Sequence, residues 1–331
     1  MRSIVVTNDG SQYDLTFQEK PIPEVKDGYC LVKLHSAALN RRDYWISVGK
    51  YPGIKHGVTL GSDGCGEVIE GDPNWVGQTV LINPNINWGE DPMVQSSGYM
   101  ILGTPTDGTF AEYIVVPAHR LSIKPRHLGN TEAAAVPLAG LTAFRAVTTK
   151  GNVKENDKVL ITGIGGGVSQ FALSFALHLG AEVCVTSSSD EKIDSAIRLG
   201  ARHGFNYGDD QWIKRATGLA GKFDVIIDSA GGNAINDYLR LVKPSGKVVV
   251  YGSTTGKTQE LDLFRLFWSQ VSLVGSTMGN DDEFQQMIAF VDQHKIKPTV
   301  DQVYPFKEGI EAIRSMATAS QFGKTMLKMD V

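Results

Sequence analysis

Three cysteines, Cys30, Cys65 and Cys184, are all that the 331 residues contain. Their odd number and wide spacing exclude a disulfide framework. No two of them form the CxxC spacing of a thiolate zinc site, which fits a reduced, cytoplasmic setting. Long apolar runs are missing as well: none reaches the ~18 residues that cross a bilayer, and the opening MRSIVVTNDGSQYDL lacks a signal-peptide core. One-sided charge is absent too. With 32 basic against 36 acidic residues, the chain offers no electrostatic footprint for nucleic acid. The seven histidines form no ligand-spaced cluster.

What is present is a chain that is 42% hydrophobic and long enough for two domains. Residues 1–125 are written as short apolar runs (SIVVT, YCLVKLHSAAL, GEVIE, QTVLI, FAEYIVVP) broken by Gly, Pro and Asn-rich turns, with one possible helical turn at NRRDYWIS. That pattern predicts a β-rich or barrel-like domain. From Thr131 strands alternate with helices: TEAAAVPLAGLTAFRAV as a helix, KVLIT a strand, VSQFALSFALHL a helix, EVCVTS a strand, and so on to VSLVGSTM. Alternation of this kind predicts right-handed βαβ units and a parallel sheet covered by helices on both faces.

Between the first strand and helix of that second pattern stands TGIGGGV. Gly163 and Gly165 fit the first two glycines of GxGxxG, with Gly166 and Gly167 following and Val168 in place of the third glycine. Such a turn lets the backbone approach a pyrophosphate at the helix N-terminus, or it is a structural turn only; the strand, turn, helix and second strand within ~30 residues favour the first. At the end of the second strand, where an NAD site carries an acidic residue for the ribose, the chain has Ser187 and Ser188. Hydroxyls donate to a 2′-phosphate that a carboxylate would repel, and Lys192 offers a positive charge one turn on. Tyr207, at the end of the next strand, is placed to pack on adenine or donate to the phosphate. The competing reading is that Ser189 caps the following helix, Asp190 favours its dipole and Lys192 is solvated. Both readings are compatible, and NADP(H) is the expected cofactor.

The segments ALNRRDYW, GSDGCGEV, DGTFAEYIVVP, EAAAVPLAGLTAF and FGKTML occur in the order found in the medium-chain dehydrogenase/reductase superfamily, which the whole chain resembles. The resemblance implies an α/β protein: a GroES-like, β-rich catalytic domain (residues 1–125, rejoined by 279–331) and a doubly wound Rossmann NADP(H)-binding domain (126–278). Zinc members hold a catalytic metal with a Cys in the first motif and a His in a GHE-type second motif. Here Asn40 stands at the Cys position, and Ser62 with Asp63 replaces the His-Glu pair. Amide and hydroxyl are poor zinc ligands, so no catalytic zinc is expected. The structural zinc lobe needs four close cysteines, and its counterpart at residues 85–108 has none. Trp88 and Tyr99 in that loop are expected either to help close over substrate or to anchor the loop.

What remains resembles the zinc-free quinone oxidoreductases and related NADPH-dependent enone reductases, with Asn40, Asp43 and Tyr51 matching an ALNPxDxYIRSGxYP-like motif. That resemblance implies a catalytic group of Asn40 as donor to a substrate carbonyl or holder of the nicotinamide ribose, Tyr51 as proton donor with Tyr44 as runner-up, and Asp43. It places Thr142, Ser229, Gly252, Ser253, Thr277 and Met278 near the nicotinamide, and Lys324 either near the cofactor or, as an ordinary lysine, in solvent. Arg41 and Arg42 depart from the pattern, and are read either as selecting an anionic substrate or as lying on an exposed edge. The strand VSLVGSTM is expected either to pair with its copy in a homodimer or to end the sheet within one chain. Zinc-dependent alcohol/aldehyde interconversion and nucleotide binding without turnover, as in crystallin-like members, are the alternative functions.

Overall fold

The computed structural model describes residues 1–8, 10 and 12–330. It divides into two compact units, Met1–Ala139 with Asn280–Val331, and Gly140–Gly279. Among the described residues no helix is long and apolar enough to cross a membrane.

The first unit is built on a seven-stranded sheet. Its order is Val300–Pro305, Lys324–Lys328, Tyr29–Ala38, Asp63–Gly71, Thr79–Ile82, Leu121–Ile123, with Tyr113–Pro117 also paired to Tyr29–Ala38. Inward-facing residues from these strands, among them Val32, Leu34, Val80, Ile82, Ile114 and Leu327, close one apolar core. The long strand Tyr29–Ala38 is buried along most of its length, because three neighbours hydrogen-bond it and the sheet curls around it. The turn expected at NRRDYWIS is a two-turn helix, Arg41–Ser47, that starts where this strand ends. A second helix, Asp281–Gln293, is capped by Asn280 and Glu283, each bonding the other's backbone N–H.

The second unit carries a six-stranded parallel sheet in the order His203–Asn206, Glu182–Ser187, Lys158–Ile161, Phe223–Asp228, Val242–Val250, Ser272–Gly275. The strands run outward in chain order on either side of Lys158–Ile161, so the direction of winding reverses between it and Phe223–Asp228. In doubly wound sheets that reversal marks the ligand-binding end. The segment TEAAAVPLAGLTAFRAV is not one helix. It breaks into Asn130–Ala134 and Pro137–Phe144, because Pro137 has no N–H to continue the first, and then widens into a π-helical turn, Arg145–Lys150.

Candidate active site

Strand pairing brings together residues far apart in the chain. The strand Lys324–Lys328 runs antiparallel to Tyr29–Ala38 with Met326 opposite Ala38, and Ala38 in turn faces Asp63. Lys324, Asn40 and Asp63 therefore meet at one end of the sheet. Lys324 Nζ donates to Asn40 Oδ1 at 2.7 Å, to Leu39 O at 2.8 Å and to Asp63 Oδ2 at 3.1 Å. Asn40 Nδ2 donates to the same Asp63 oxygen at 2.9 Å, while Asp63 Oδ1 accepts the Leu138 N–H at 2.8 Å. The lysine is a donor only and the carboxylate an acceptor only, so the Asn40 amide can take just one orientation. Lys324 is buried and ion-paired, so it is not a solvated lysine.

Asp43 lies in the first turn of the helix that follows. Its Oδ2 accepts the Asn40 backbone N–H at 2.7 Å, while its Oδ1 is buried without a hydrogen-bond partner. Burial pushes this carboxyl up to about 6, against the pull of the Arg42 charge. Placed in the catalytic group by its motif, Asp43 is fully buried and acts on the backbone of Asn40.

The exposed-edge reading of the two arginines does not fit Arg42. It is buried, with Nη1 donating to Ser62 Oγ at 2.7 Å and to Leu102 O at 2.8 Å. Its guanidinium lies 4.9 Å from the centre of the Tyr51 ring, and Nε donates to the Tyr51 hydroxyl at 3.4 Å. Arg41 stacks over Tyr44 and Trp45 at 5.0 and 5.1 Å and donates to the Met316 carbonyl. Tyr51 and Tyr44 thus lie against different cations. In the 85–108 loop, Trp88 is buried, donates to Asp91 O and meets Tyr99 edge-on at 5.3 Å, which makes the pair an anchor. The Tyr99 hydroxyl is buried without a partner, and burial raises its pKa.

In the second unit the glycine turn has the geometry that a phosphate loop needs. Gly163 adopts φ +61°, and a Cβ there would stand 3.3 Å from Ser229 Oγ. Ser169 Oγ donates to the carbonyls of Gly163 and Gly166, both at 2.8 Å, which ties the turn to the helix Gly167–His178. The first-turn N–H groups of that helix, including those of Gly167 and Val168, have no intrahelical acceptor. Thr162 Oγ1 donates to Asp228 Oδ1 at 2.6 Å, and Asp228 Oδ2 accepts the Gly231 N–H at 2.7 Å, which fixes the loop carrying Ser229. A Cβ on Gly252 would meet Ser229 O at 2.8 Å, so Gly252 and Ser229 sit back to back. Asp228 belongs to none of the motifs above, although an acidic residue closing the strand FDVIID before AGG is a readable signal.

The serine strand end is divided in its roles. Ser187 is buried and its Oγ accepts the Ser189 N–H at 3.1 Å, while Ser188 is exposed. Ser189 caps the helix by accepting the Lys192 N–H at 3.3 Å. Tyr207 donates its backbone N–H to Ser187 O at 3.0 Å and leaves its ring half exposed beside the serines. Ser253 Oγ donates to Gly256 O; Thr142 and Met278 are buried, and Thr277 is exposed. The structure therefore gathers Gly163–Val168, Ser187, Ser188 and Tyr207 at the ends of the first three strands.

The donor set does not fit a catalytic zinc. Asn40 Oδ1 and Ser62 Oγ, at the matching ligand positions, each accept a hydrogen bond from a positively charged side chain. A dication would have to displace both cations to bind there. Among the described residues no group of three or more His, Cys, Asp or Glu is placed to hold a metal. Burial pushes the Cys65 thiol up to about 12 and the Cys184 thiol up to about 11, so neither is a thiolate at neutral pH.

A family model described as an alcohol dehydrogenase GroES-like domain matches residues 26–126, and one described as a zinc-binding dehydrogenase matches residues 167–293. A zinc-type alcohol dehydrogenase-like protein of Leptosphaeria maculans is 34% identical over 95% of this chain and 94% of its own length. Another of that description from Schizosaccharomyces pombe is 34% identical over 98% and 99%. The chain belongs to the medium-chain dehydrogenase/reductase superfamily. A crystal structure of an NAD-dependent alcohol dehydrogenase superposes with a TM-score of 0.92 at 32% identity, covering 99% of both chains. The superfamily fold, a GroES-like domain with a Rossmann domain, is the one seen here, and the protein is an oxidoreductase of that superfamily.

The Asp43 carboxyl carries a testable pH signature. Its folded-state pKa is raised, so its contribution favours the fold at pH below the ordinary value of 3.8 and is lost as pH rises through about 6. Asparagine keeps an acceptor for the Asn40 N–H and does not ionise. Asp43→Asn is expected to gain stability relative to the wild type between about pH 5 and about pH 8, by on the order of 1 kcal/mol. Urea unfolding at both pH values reads the difference, and a gap that stays constant would show that Asp43 does not titrate in this range.

Proposed function

We propose that the protein is an NADPH-dependent, zinc-independent oxidoreductase that reduces quinones or α,β-unsaturated carbonyls. The observation that carries this reading is the filling of the two metal-ligand positions, Asn40 and Ser62, by Lys324 and Arg42. Reduction of a conjugated C=C needs a hydride at the β carbon, stabilisation of the enolate oxygen and a proton at the α carbon. The nicotinamide supplies the hydride when bound. Asn40 Nδ2 has two hydrogens, of which Asp63 takes one; the other is the donor to the substrate carbonyl. Tyr51 gives the proton.

In this reading the Gly163–Val168 turn holds the pyrophosphate, and Ser188, Lys192 and Tyr207 surround the adenosine 2′-phosphate, with Ser187 shaping the strand end. Thr142, Ser229, Gly252, Ser253, Thr277 and Met278 line the nicotinamide end. Lys324 acts on Asn40 and Asp63. The names of the relatives favour a second reading, an NAD-dependent, zinc-dependent alcohol dehydrogenase.

Two measurements separate them. NADPH is expected to bind at least about tenfold more tightly than NADH, ~1.4 kcal/mol, and equal affinities by calorimetry would remove the case for the 2′-phosphate site. Metal-free protein is expected to oxidise NADPH with a quinone, a conjugated enone or a conjugated enal, and not with a simple aldehyde. Turnover of the aldehyde alone, and only after zinc is added, would establish the second reading.

The partner we propose is a second copy of the chain. The strand Ser272–Gly275 ends the parallel sheet, bonded only to Val242–Val250 among the described residues. Just before it, the helix Leu263–Trp268 exposes Phe264, Phe267 and Trp268 at 64, 63 and 72%. An unpaired edge next to an apolar patch is what a two-fold partner would cover. Light scattering is expected to give twice the chain mass for the wild type and one chain mass for Trp268→Glu; a monomeric wild type would refute the assignment.

A further inference from the structure

We propose that Arg42 is the positioning residue for proton transfer by Tyr51. The inference rests on the reading of Tyr51 as proton donor and adds a residue that the superfamily resemblance does not supply, since it marks Arg42 as a departure.

A guanidinium has five N–H donors and no acceptor, so every contact with it must be accepted by its neighbour. Arg42 Nη1 is committed to Ser62 Oγ and Leu102 O, and Ser62 Oγ itself donates to Leu102 O at 2.8 Å. The side chain is thereby fixed below the Tyr51 ring, 4.9 Å from its centre. Towards the Tyr51 hydroxyl Arg42 Nε can only donate, at 3.4 Å. The phenol oxygen is the acceptor in that contact, so its own hydrogen points away from Arg42 and is left for a substrate.

The same contact acts on the product of the step. When the Tyr51 O–H bond breaks, its proton forms the new C–H bond at the α carbon of the enolate, whose electron pair came with the hydride as NADPH was oxidised. A phenolate remains, to be reprotonated by water. The buried charge of Arg42 faces that phenolate directly and stabilises it more than an exposed cation would. Asp43 on the same helix and Tyr99 from the 85–108 loop interact with the Arg42 charge, and the electrostatics of Tyr99 feel Tyr51 as well.

The test is a double-mutant cycle on kcat with a conjugated enone and NADPH. Arg42→Met removes the charge and leaves the Ser62 to Leu102 bond in place. Tyr51→Phe removes the proton. Tyr51→Phe is expected to lower kcat by about a hundredfold, and Arg42→Met by about tenfold with the NADPH KM unchanged. The double variant is expected to equal Tyr51→Phe alone, because Arg42 has nothing left to act through. Losses that multiply would show a structural role and overturn the proposal, as would full activity in Tyr51→Phe. Arg42→Lys keeps the charge without the planar stack and is expected to fall between wild type and Arg42→Met; it takes the place of Arg42→Met if that variant does not fold.

A second readout needs no turnover. Tetranitromethane nitrates tyrosine through its phenolate, and peptide mapping reports Tyr51 against the other tyrosines of the same sample. Tyr51 nitration is expected to slow at least severalfold in Arg42→Met, and an unchanged rate would overturn the proposal. If the wild type turns over no conjugated substrate, the reductase reading fails, and this measurement still decides whether Arg42 acts on Tyr51.

Discussion

The pair of Lys324 and Asp63 is the constraint on which the first unit's site depends. Both side chains are almost wholly removed from water, and isolated burial of either charge would be prohibitive. The pair is tolerable because every strong hydrogen-bonding position has a partner: three acceptors for the ammonium, and Asn40, Lys324 and the Leu138 N–H for the carboxylate. Removing one partner of such a pair costs roughly 3–5 kcal/mol, since the other is left buried and uncompensated. The C-terminal strand, the strand Tyr29–Ala38 and the strand that begins at Asp63 are therefore locked in one register at this end of the sheet. Asn40 inherits its orientation from that lock.

The neighbouring helix Arg41–Ser47 extends the same logic with a second cation. Its first turn carries Arg42 inward to Ser62 and Asp43 back to the Asn40 N–H, so alternate charges along a short segment are each used. One Asp43 oxygen is left without a partner, and the burial of the carboxyl is what raises its pKa. A helix of seven residues would be marginal on its own; here side-chain bonds to residues 20 and 60 positions away hold it in place.

The fold was largely legible because it rests on local pattern. Period-two apolar runs, the βαβ alternation and the strand-turn-helix at Gly163 each report their own structure without reference to distant residues. The helix at Asp281 is also signalled in the sequence, by Asn280 and Glu283 at cap spacing. The site was legible only in part. Which residues occupy the ligand positions could be read from the motifs; what those residues bond could not. Lys324 lies 284 positions from Asn40, and only the strand register shows that they touch. Paired arginines leave open whether they meet an anionic substrate or an exposed edge, and the acceptors that bury Arg42 come from two other segments. The serines at the second strand end were read as a set, whereas the turn after the strand divides them into one buried and one exposed.

The occupation of the ligand positions by cations bonded to protein acceptors bears on which substrates the site suits under the proposed reading. A zinc with an open position accepts a substrate oxygen as a ligand and stabilises an alkoxide, a base about as strong as hydroxide. Lys324 and Arg42 already have their hydrogen bonds directed at protein acceptors, so what they pass on is orientation of Asn40 and of Tyr51 together with an attenuated field. An amide N–H and a phenol stabilise much less negative charge than a Lewis acid does. They are matched to an oxygen whose charge is already delocalised, as in an enolate or a hydroquinone anion, where hydride addition at carbon leaves the charge spread over a conjugated system. Simple carbonyl reduction concentrates the charge on one oxygen at the moment of hydride transfer, which is where this arrangement is weakest. Under the proposed reading, the filled ligand positions and a preference for conjugated acceptors are thus two consequences of one set of hydrogen bonds.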